Sequence, residues 1–262
     1  MTAPPLFDTH AHLHFPELVA DLNGVLERAR AAGVTGMVTI GTDRETNPAA
    51  VALAERLDAV HATVGIHPHD AAEATAADFE SMEALARGSA KVVALGEMGL
   101  DFFRNLSPHD VQDRVFRRQI EMARRVRKPV IIHCRDAHPE ALALLAEERV
   151  GEVSGVMHCF SADVEVAKRC LDLGLMISLA GPVTYKNARA LPEVARFVPE
   201  DRLVVETDCP CLTPTPHRGK RNEPAYVALT AAHVAGLRGA DPEALGAALT
   251  RNAARLFNLQ LA

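Results

Sequence analysis

The sequence predicts a single-domain α/β protein with the (β/α)8 barrel, or TIM barrel, fold. Eight short runs rich in β-branched residues alternate with longer segments of helical periodicity. The 262 residues, 48% of them apolar, suffice for one large core, and no long Gly/Ser/Pro linker divides them. A Rossmann-type sheet is the structural alternative, but no G-x-G-x-x-G or P-loop motif follows an early strand. We therefore expect one barrel domain over residues 1–262.

Each predicted element follows from its local pattern. The eight candidate strands are Leu6–Thr9, Gly36–Gly41, His61–Gly65, Val92–Gly96, Val130–His133, Val153–His158, Leu175–Leu179 and Leu203–Glu206. The helices expected between them are Leu18–Ala32, Pro48–Leu57, Ala77–Arg87, Val111–Val126, Pro139–Glu148, Val164–Leu173 and Ala188–Phe197. Two further helices follow the eighth strand, Pro224–Gly236 and Pro242–Leu256. The last of them has Asp241 as a typical N-cap and Pro242 in its first turn.

Composition excludes several classes of protein. The net charge of −6 argues against a chain that binds polyanions over its whole surface. The longest stretch without a charged residue, 224–237, is too short to cross a membrane, so no membrane association is expected. The N-terminus lacks the pattern of a signal peptide. The five cysteines are odd in number and unevenly spaced, which favours packing thiols in a reduced, cytoplasmic chain over a metal or redox pair at Cys209-Pro-Cys211.

Histidines and carboxylates fall at the ends of five predicted strands. His10 and His12 end the first strand, and their i, i+2 spacing directs both side chains to one side of an extended chain. The other candidates are Glu97, His133, His158 and Asp208, at the ends of the fourth, fifth, sixth and eighth strands. A single residue of this kind is more often a polar rim group or a helix cap. Six of them at the catalytic end of a barrel indicate divalent cations such as Zn²⁺, Mn²⁺, Fe²⁺ or Co²⁺. Six ligands suit two ions about 3.5–4 Å apart.

Seven motifs in order carry a family resemblance. They are Asp8-Thr9-His10-Ala11-His12-Leu13, Gly65-Ile66-His67-Pro68-His69-Asp70, Gly96-Glu97-Met98-Gly99-Leu100-Asp101, Ile132-His133-Cys134-Arg135-Asp136-Ala137, His158-Cys159-Phe160-Ser161, Glu206-Thr207-Asp208-Cys209-Pro210 and Arg218-Gly219-Lys220-Arg221-Asn222-Glu223-Pro224. With them the chain resembles TatD-family metal-dependent deoxyribonucleases, within the amidohydrolase-like barrels, from Phe7 to Phe257. The resemblance implies that His10, His12 and Asp208 complete one metal site, that His133 and His158 complete a second, and that Glu97 bridges the two ions.

The chain departs from the family pattern at a few positions. His14 stands where the family commonly has Asp, Ala162 where Gly is common, and Phe102-Phe103 where Tyr and often His occur. These positions bear on substrate preference and leave the six implied ligands in place. Some related barrels use a carboxylated lysine as the bridge, but Lys91 lies at the opposite end of the fourth strand. Glu97 is therefore the better candidate.

Other residues are candidates for substrate binding and catalysis. Asp208 is the best candidate to accept a proton from the attacking water. Glu206, two residues earlier, either supports the ligands from behind or is a buried partner of a cation in the barrel. His67 is a candidate either for binding a phosphate or for supporting the ligands, and the alternative is a structural role. The other candidate phosphate-binding residues are Arg135 and, in the loop after the eighth strand, Arg218, Lys220 and Arg221. The alternative for the loop is a solvated surface. Phe102, Phe103 and Phe160 are candidates either for stacking a base or for the core.

The sequence is compatible with three functions. The first is a nuclease with two divalent ions (Mg, Mn or Zn) that hydrolyses the phosphodiester bonds of single-stranded or frayed DNA. Its 3'-5' exonuclease activity and a role in DNA repair are implied by the resemblance alone. The second is a metal-dependent ester or amide hydrolase, such as an aminoacyl-tRNA deacylase. The third is a non-catalytic barrel acting as a partner module, which the complete ligand set disfavours. No obligate protein partner is evident.

Overall fold

Eight parallel strands form one sheet. The computed structural model describes residues 5–260, and its strands are β1 (Leu6–Ala11), β2 (Val34–Ile40), β3 (Val60–Val64), β4 (Val92–Asp101), β5 (Val130–Arg135), β6 (Gly155–Met157), β7 (Met176–Leu179) and β8 (Leu203–Val205). They follow one another across the sheet in the order of the sequence, from β1 to β8. With a helix after each strand this is the topology of a (β/α)8 barrel, so all eight predicted strands and the predicted fold class are confirmed.

Ten α-helices occur in the described part of the chain. They are α1 (Pro16–Val19), α2 (Leu22–Ala31), α3 (Thr46–Arg56), α4 (Ala76–Gly88), α5 (His109–Val126), α6 (His138–Glu147), α7 (Val164–Asp172), α8 (Leu191–Phe197), α9 (Val227–Arg238) and α10 (Pro242–Phe257). Short 3-10 turns lie at Pro68–Glu73, Val150–Glu152, Gly181–Thr184, Glu200–Arg202 and Pro224–Tyr226. Within 5–260, no helix has the length and apolar run needed to cross a membrane.

Contacts between Cα atoms divide the described chain into two compact units. The terminal unit contains residues 5–39, 159–168 and 177–260, and the central unit contains 40–158 and 169–176. Strands β1 and β8 belong to the terminal unit, whereas β3, β4, β5 and β6 belong to the central unit. The organisation of residues 1–262 as a single domain stays a prediction.

Strand β4 belongs to the central unit, and all ten of its residues are buried. The predicted end at Gly96 is wrong, because pairing with β5 continues to Asp101, which faces Arg135. Glu97 therefore lies inside the strand. Gly99 permits this close pairing: its φ is +150°, and a Cβ atom there would lie 1.8 Å from the carbonyl oxygen of His133.

Strand β1 is the corresponding buried element of the terminal unit. All six of its residues are buried, and Ala11 forms a parallel bridge with Cys209, just after β8. Helix α10 packs against both β1 and β8. As predicted, α10 begins with Asp241, whose side chain accepts the N–H of Ala244 at 2.8 Å.

Two predicted helices are interrupted. Leu18–Ala32 divides into α1 and α2 at Asp21, which takes the non-helical N-cap position of α2 with φ −135° and pairs with Arg28 at 2.9 Å. The segment predicted as Pro224–Gly236 begins with a 3-10 turn before α9, and its first residue is a proline, which has no N–H to donate.

Replacing Asp241 with alanine removes the acceptor that caps α10. We expect Asp241→Ala to lower the free energy of unfolding by about 1 kcal/mol. Arg251→Ala, at an exposed position of the same helix, is the control and should change stability by less than about 0.5 kcal/mol. Denaturant unfolding followed by circular dichroism measures both. Equal effects of the two substitutions would contradict the assigned cap.

Candidate metal centre

Three ligand atoms meet in the terminal unit. We call this group, His10, His12 and Asp208, the terminal cluster. The two histidine Nε2 atoms lie 3.3 Å apart, and they lie 3.6 Å and 3.4 Å from Oδ1 of Asp208. Metal–ligand bonds of about 2.0–2.1 Å at tetrahedral angles place two donor atoms about 3.4 Å apart. The donor set and its spacing therefore fit one divalent cation.

The terminal cluster is held from behind by Asp8. This carboxyl group is fully buried, and its Oδ1 accepts the backbone N–H groups of Thr207 at 2.9 Å and of His10 at 3.3 Å. Its Oδ2 accepts the hydroxyl of Thr207 at 2.6 Å. Burial raises the pKa of Asp8 to about 7 although these bonds oppose the shift. Asp8 thus joins β1 to Thr207, the residue before Asp208.

Backbone bonds continue this connection beyond Asp8. The N–H of Asp208 donates to the carbonyl of His10 at 2.9 Å, and the N–H of His12 donates to the carbonyl of Cys209 at 2.8 Å. The side-chain amide of Asn222 donates to the carbonyl of Thr207 at 2.8 Å. The three candidate ligands therefore lie on two backbone segments whose relative register is fixed by several hydrogen bonds.

Glu206 is buried beside this arrangement. Its carboxylate accepts the backbone N–H of Cys159 at 2.9 Å and the hydroxyl of Ser178 at 2.5 Å. These bonds join the end of β8 to β7 and to the segment that begins at Cys159. The role predicted for Glu206 in supporting the ligands stays a prediction.

Four side chains meet in the central unit. We call this group, His67, Glu97, His133 and His158, the central cluster. The Oε1 atom of Glu97 lies 2.8 Å from Nδ1 of His133, 3.1 Å from Nε2 of His158 and 3.4 Å from Nε2 of His67. Among these residues His67, Glu97 and His133 have ligand atoms close enough together to hold one ion. Glu97 and His158 are buried, so an ion there would face few water molecules.

The ring of His67 is oriented by its neighbour. Burial lowers the pKa of His67 to about 4, so the ring is neutral near pH 7. Its Nδ1 accepts the backbone N–H of His69 at 3.1 Å, which leaves the ring proton on Nε2. That N–H donates to Glu97. In this structure His67 therefore contacts a carboxylate. Its role in binding a phosphate or in supporting the ligands stays a prediction.

Asp101 lies behind the central cluster. It is buried, and its Oδ2 accepts Nε2–H of His69 at 2.8 Å and of His133 at 3.2 Å. Burial alone would raise the pKa of Asp101, but hydrogen bonds from His133, the Arg104 N–H and His69 hold it well below its usual range. Because Asp101 is thus a carboxylate, the His133 nitrogen that faces it must carry a proton. Nδ1 of His133, which faces Glu97, is the nitrogen that can bind a cation.

Four of the predicted substrate residues, Arg135, Arg218, Lys220 and Arg221, are at the surface. The guanidinium of Arg135 lies 3.9 Å over the ring of Phe103, and that of Arg218 lies 4.2 Å over the ring of Tyr185. Lys220 is exposed. Arg221 donates to the carbonyl of Glu17 and contacts Glu223 at 3.4 Å and Asp21 at 3.9 Å, so its charge is partly compensated.

The stacking candidates differ in exposure. Phe160 is buried and therefore belongs to the core, whereas 57% of Phe103 is exposed. Phe102 is partly buried and stacks on His109, with ring centroids 3.6 Å apart. The five cysteines are free thiols, Cys209 being buried and Cys211 exposed.

Three residues that contact the candidate ligands were not recognised from the sequence. Asp8, Asp101 and His69 all lie within the motifs, but none was assigned a role. The role of Asp8 could have been predicted from its position. Asp8 precedes His10 by two residues on a strand, so the two side chains lie on the same side of the chain. Asp101 lacked a signal, because β4 was expected to end five residues earlier.

Imidazole and carboxylate clusters within and just after the strands of a (β/α)8 barrel define a metal-dependent hydrolase. The model of the family described as TatD related DNase matches residues 7–258. The chain belongs to this family.

Known relatives agree with this assignment. A Bacillus subtilis protein named uncharacterized metal-dependent hydrolase YabD is 46% identical over 254 residues, covering 97% of this chain and 99% of its own length. The 3'-5' ssDNA/RNA exonuclease TatD of Citrobacter koseri is 40% identical over 260 residues, covering 97% and 99%. The crystal structure of YJJV, a TATD homolog from Escherichia coli k12, has a TM-score of 0.92 at 31% identity, covering 97% of this chain and 98% of that one.

Removing the carboxyl group of Asp8 should weaken metal binding at the terminal cluster. Asp8→Ala leaves the Thr207 and His10 donors without their acceptor. We expect divalent-metal affinity at one site to fall by roughly 10- to 100-fold, measured by competition with a chromophoric chelator on metal-depleted protein.

Asn252→Ala is the matched control for this variant. Asn252 is also buried in the terminal unit, and its amide donates to the carbonyl oxygens of Glu200 and Leu203. Each substitution should destabilise the protein by about 1–3 kcal/mol, since each leaves buried polar groups unsatisfied. Only Asp8→Ala should lower metal affinity. A similar loss of affinity in both variants would show that Asp8 acts through general stability.

Proposed function

We propose that this chain is a divalent-metal-dependent nuclease that removes nucleotides from the 3' end of single-stranded DNA. The terminal and central clusters carry the proposal, because each combines imidazole nitrogens with a carboxylate at ligand spacing. The relative from Citrobacter koseri, named a 3'-5' ssDNA/RNA exonuclease, supports the polarity and the single-stranded substrate. The choice of DNA over RNA comes from the family description.

Two groups of residues would hold two divalent cations, Mg²⁺, Mn²⁺ or Zn²⁺. His10, His12 and Asp208 would hold one, and Glu97, His133 and His158 the other. A bound divalent cation supplies Lewis acidity, which neutralises charge on an ester oxygen and makes water a stronger acid. The bridging position of Glu97 between the ions, implied by the family resemblance, stays a prediction.

A side chain of the protein, Asp208, would accept the proton of the attacking water. The side chain of Asp208 is 17% exposed, so the carboxylate reaches solvent while it faces the two imidazoles of the terminal cluster. A carboxylate in this position can take the proton of the water that attacks phosphorus. Glu97 stays in contact with the imidazole of His133, whose other nitrogen is fixed by Asp101. These fixed partners limit the reorganisation that the reaction requires.

Cationic side chains would bind the phosphates. Arg135 is the last residue of β5, two residues beyond His133, and its exposed guanidinium can donate two parallel hydrogen bonds to a phosphate. Arg218 and Lys220 extend from the loop after β8, in a position where barrels of this class often bind phosphate. We assign Arg221 a weaker contribution, since Glu223 and Asp21 share its charge.

The same water activation at a carbonyl carbon would make the chain an ester or amide hydrolase, for example an aminoacyl-tRNA deacylase. A substrate panel separates the two proposals. The nuclease proposal predicts that a 5'-labelled single strand is shortened step by step from its 3' end as mononucleotides are released. Aminoacyl-tRNA and small carboxyl esters should be hydrolysed far more slowly. The reverse order of rates would replace the proposal with the alternative.

Loss of the metals should abolish the activity. Chelation, and separately His12→Ala, should lower kcat/KM on single-stranded DNA by on the order of 10²- to 10³-fold, the effect of losing several kcal/mol of charge stabilisation. Metal content by mass spectrometry should fall from two to one ion per chain in His12→Ala. His233→Ala, at an exposed histidine outside both clusters, is the control and should retain both ions. DNA cleavage at an unchanged rate after complete chelation would refute the nuclease proposal.

A further inference from the structure

The segment between β4 and α5 exposes two large apolar side chains. Phe103 is 57% exposed and Leu106 is 58% exposed, the highest values among the large apolar residues of the described chain. They lie three residues apart in one short segment. Single exposed apolar side chains are common, so the significance of Phe103 depends on the groups around it.

Phe103 is paired with a cation. The guanidinium carbon of Arg135 lies 3.9 Å from the centroid of the Phe103 ring. A guanidinium that contacts an aromatic ring keeps N–H donors that can still bind a phosphate. The pair therefore presents an aromatic group and an anion-binding group side by side. A nucleotide carries the two complementary groups, a base and a phosphate.

The pair adjoins the central cluster. In the β4–β5 ladder Gly99 faces His133 and Asp101 faces Arg135, so Arg135 lies one pleat beyond the ligand His133. The N–H of Phe102 donates to the carbonyl of Arg135 at 2.9 Å, which continues the ladder to the residue before Phe103. Both members of the pair thus extend from the same ends of the strands as the cluster.

The backbone that carries Phe103 is fixed on both sides. Phe102 stacks on His109 with an interplanar angle of 9°. The N–H of Arg104 donates to Oδ1 of Asp101 at 2.7 Å. Phe103 is therefore held in its exposed position before any ligand binds, which reduces the entropy lost on binding.

We propose that Phe103 and Arg135 form a subsite for one nucleotide of a single-stranded substrate, with the base stacked against Phe103 and the phosphate bound by Arg135. The inference rests on the proposed function and names the group that binds the base. Stacking accepts every base, so the subsite selects unpaired strands without reading their sequence. A second copy of this chain is the competing occupant of the exposed apolar surface.

Binding of a modified oligonucleotide tests the subsite. The probe is fluorescein-labelled, phosphorothioate-linked dA8, whose linkages slow hydrolysis, and its partner is an abasic strand of the same length and backbone. We expect Phe103→Ala to weaken dA8 binding by on the order of 5- to 150-fold, the range measured for single stacked bases. The same substitution should leave binding of the abasic strand nearly unchanged, and Phe103→Trp should retain dA8 affinity.

Phe197→Ala is the matched control, because Phe197 is 42% exposed at the end of α8 in the other unit. It should bind dA8 as the wild type does. Equal affinity of wild type and Phe103→Ala for dA8, or an equal loss on the abasic strand, would overturn the subsite. So would a wild-type dimer, seen by sedimentation, that Phe103→Ala dissociates. Wild-type protein that binds dA8 as expected but leaves ordinary DNA uncut would contradict only the nuclease activity.

Discussion

The buried carboxyl group of Asp8 is the interaction on which the terminal cluster depends. Two backbone segments far apart in sequence carry the ligands, and Asp8 receives donors from both of them. Removing such a group from water is costly unless its hydrogen bonds are satisfied, and here three donors satisfy it. The segments can therefore occupy only a register in which His10, His12 and Asp208 face one another.

The central cluster repeats this arrangement with other residues. Each cluster has one carboxylate that faces the imidazoles, which we call the front group. A second carboxyl group, which we call the rear group, fixes the backbone or a ring by accepting hydrogen bonds. Glu97 and Asp208 are the front groups, and Asp101 and Asp8 are the rear groups. The rear group determines which nitrogen of a histidine can face a cation, as it does for His133. Ligand identity is thus only part of what prepares each site.

The sequence predicted secondary structure and side-chain direction well where each depends on a single local pattern of residues. Runs of β-branched residues located all eight strands. The spacing of His10 and His12 predicted that their side chains lie on the same side of the chain, and their Nε2 atoms are 3.3 Å apart. The extent of β4 was not predictable from its two glycines, which normally weaken a strand, because pairing with β5 overrides that preference. The rear carboxylates were missed for a related reason. Their roles depend on partners distant in sequence, such as Thr207 for Asp8.

Gly99 has a consequence for reading other sequences of this family. The position holds no ligand, yet a single methyl group there would collide with the backbone of His133. A relative could keep all six candidate ligand residues and still have lost the geometry of the central cluster. Active and degenerate members of the family should therefore be distinguished by this glycine as well as by their histidine and carboxylate residues. A side chain at this position would prevent the close approach of β4 and β5.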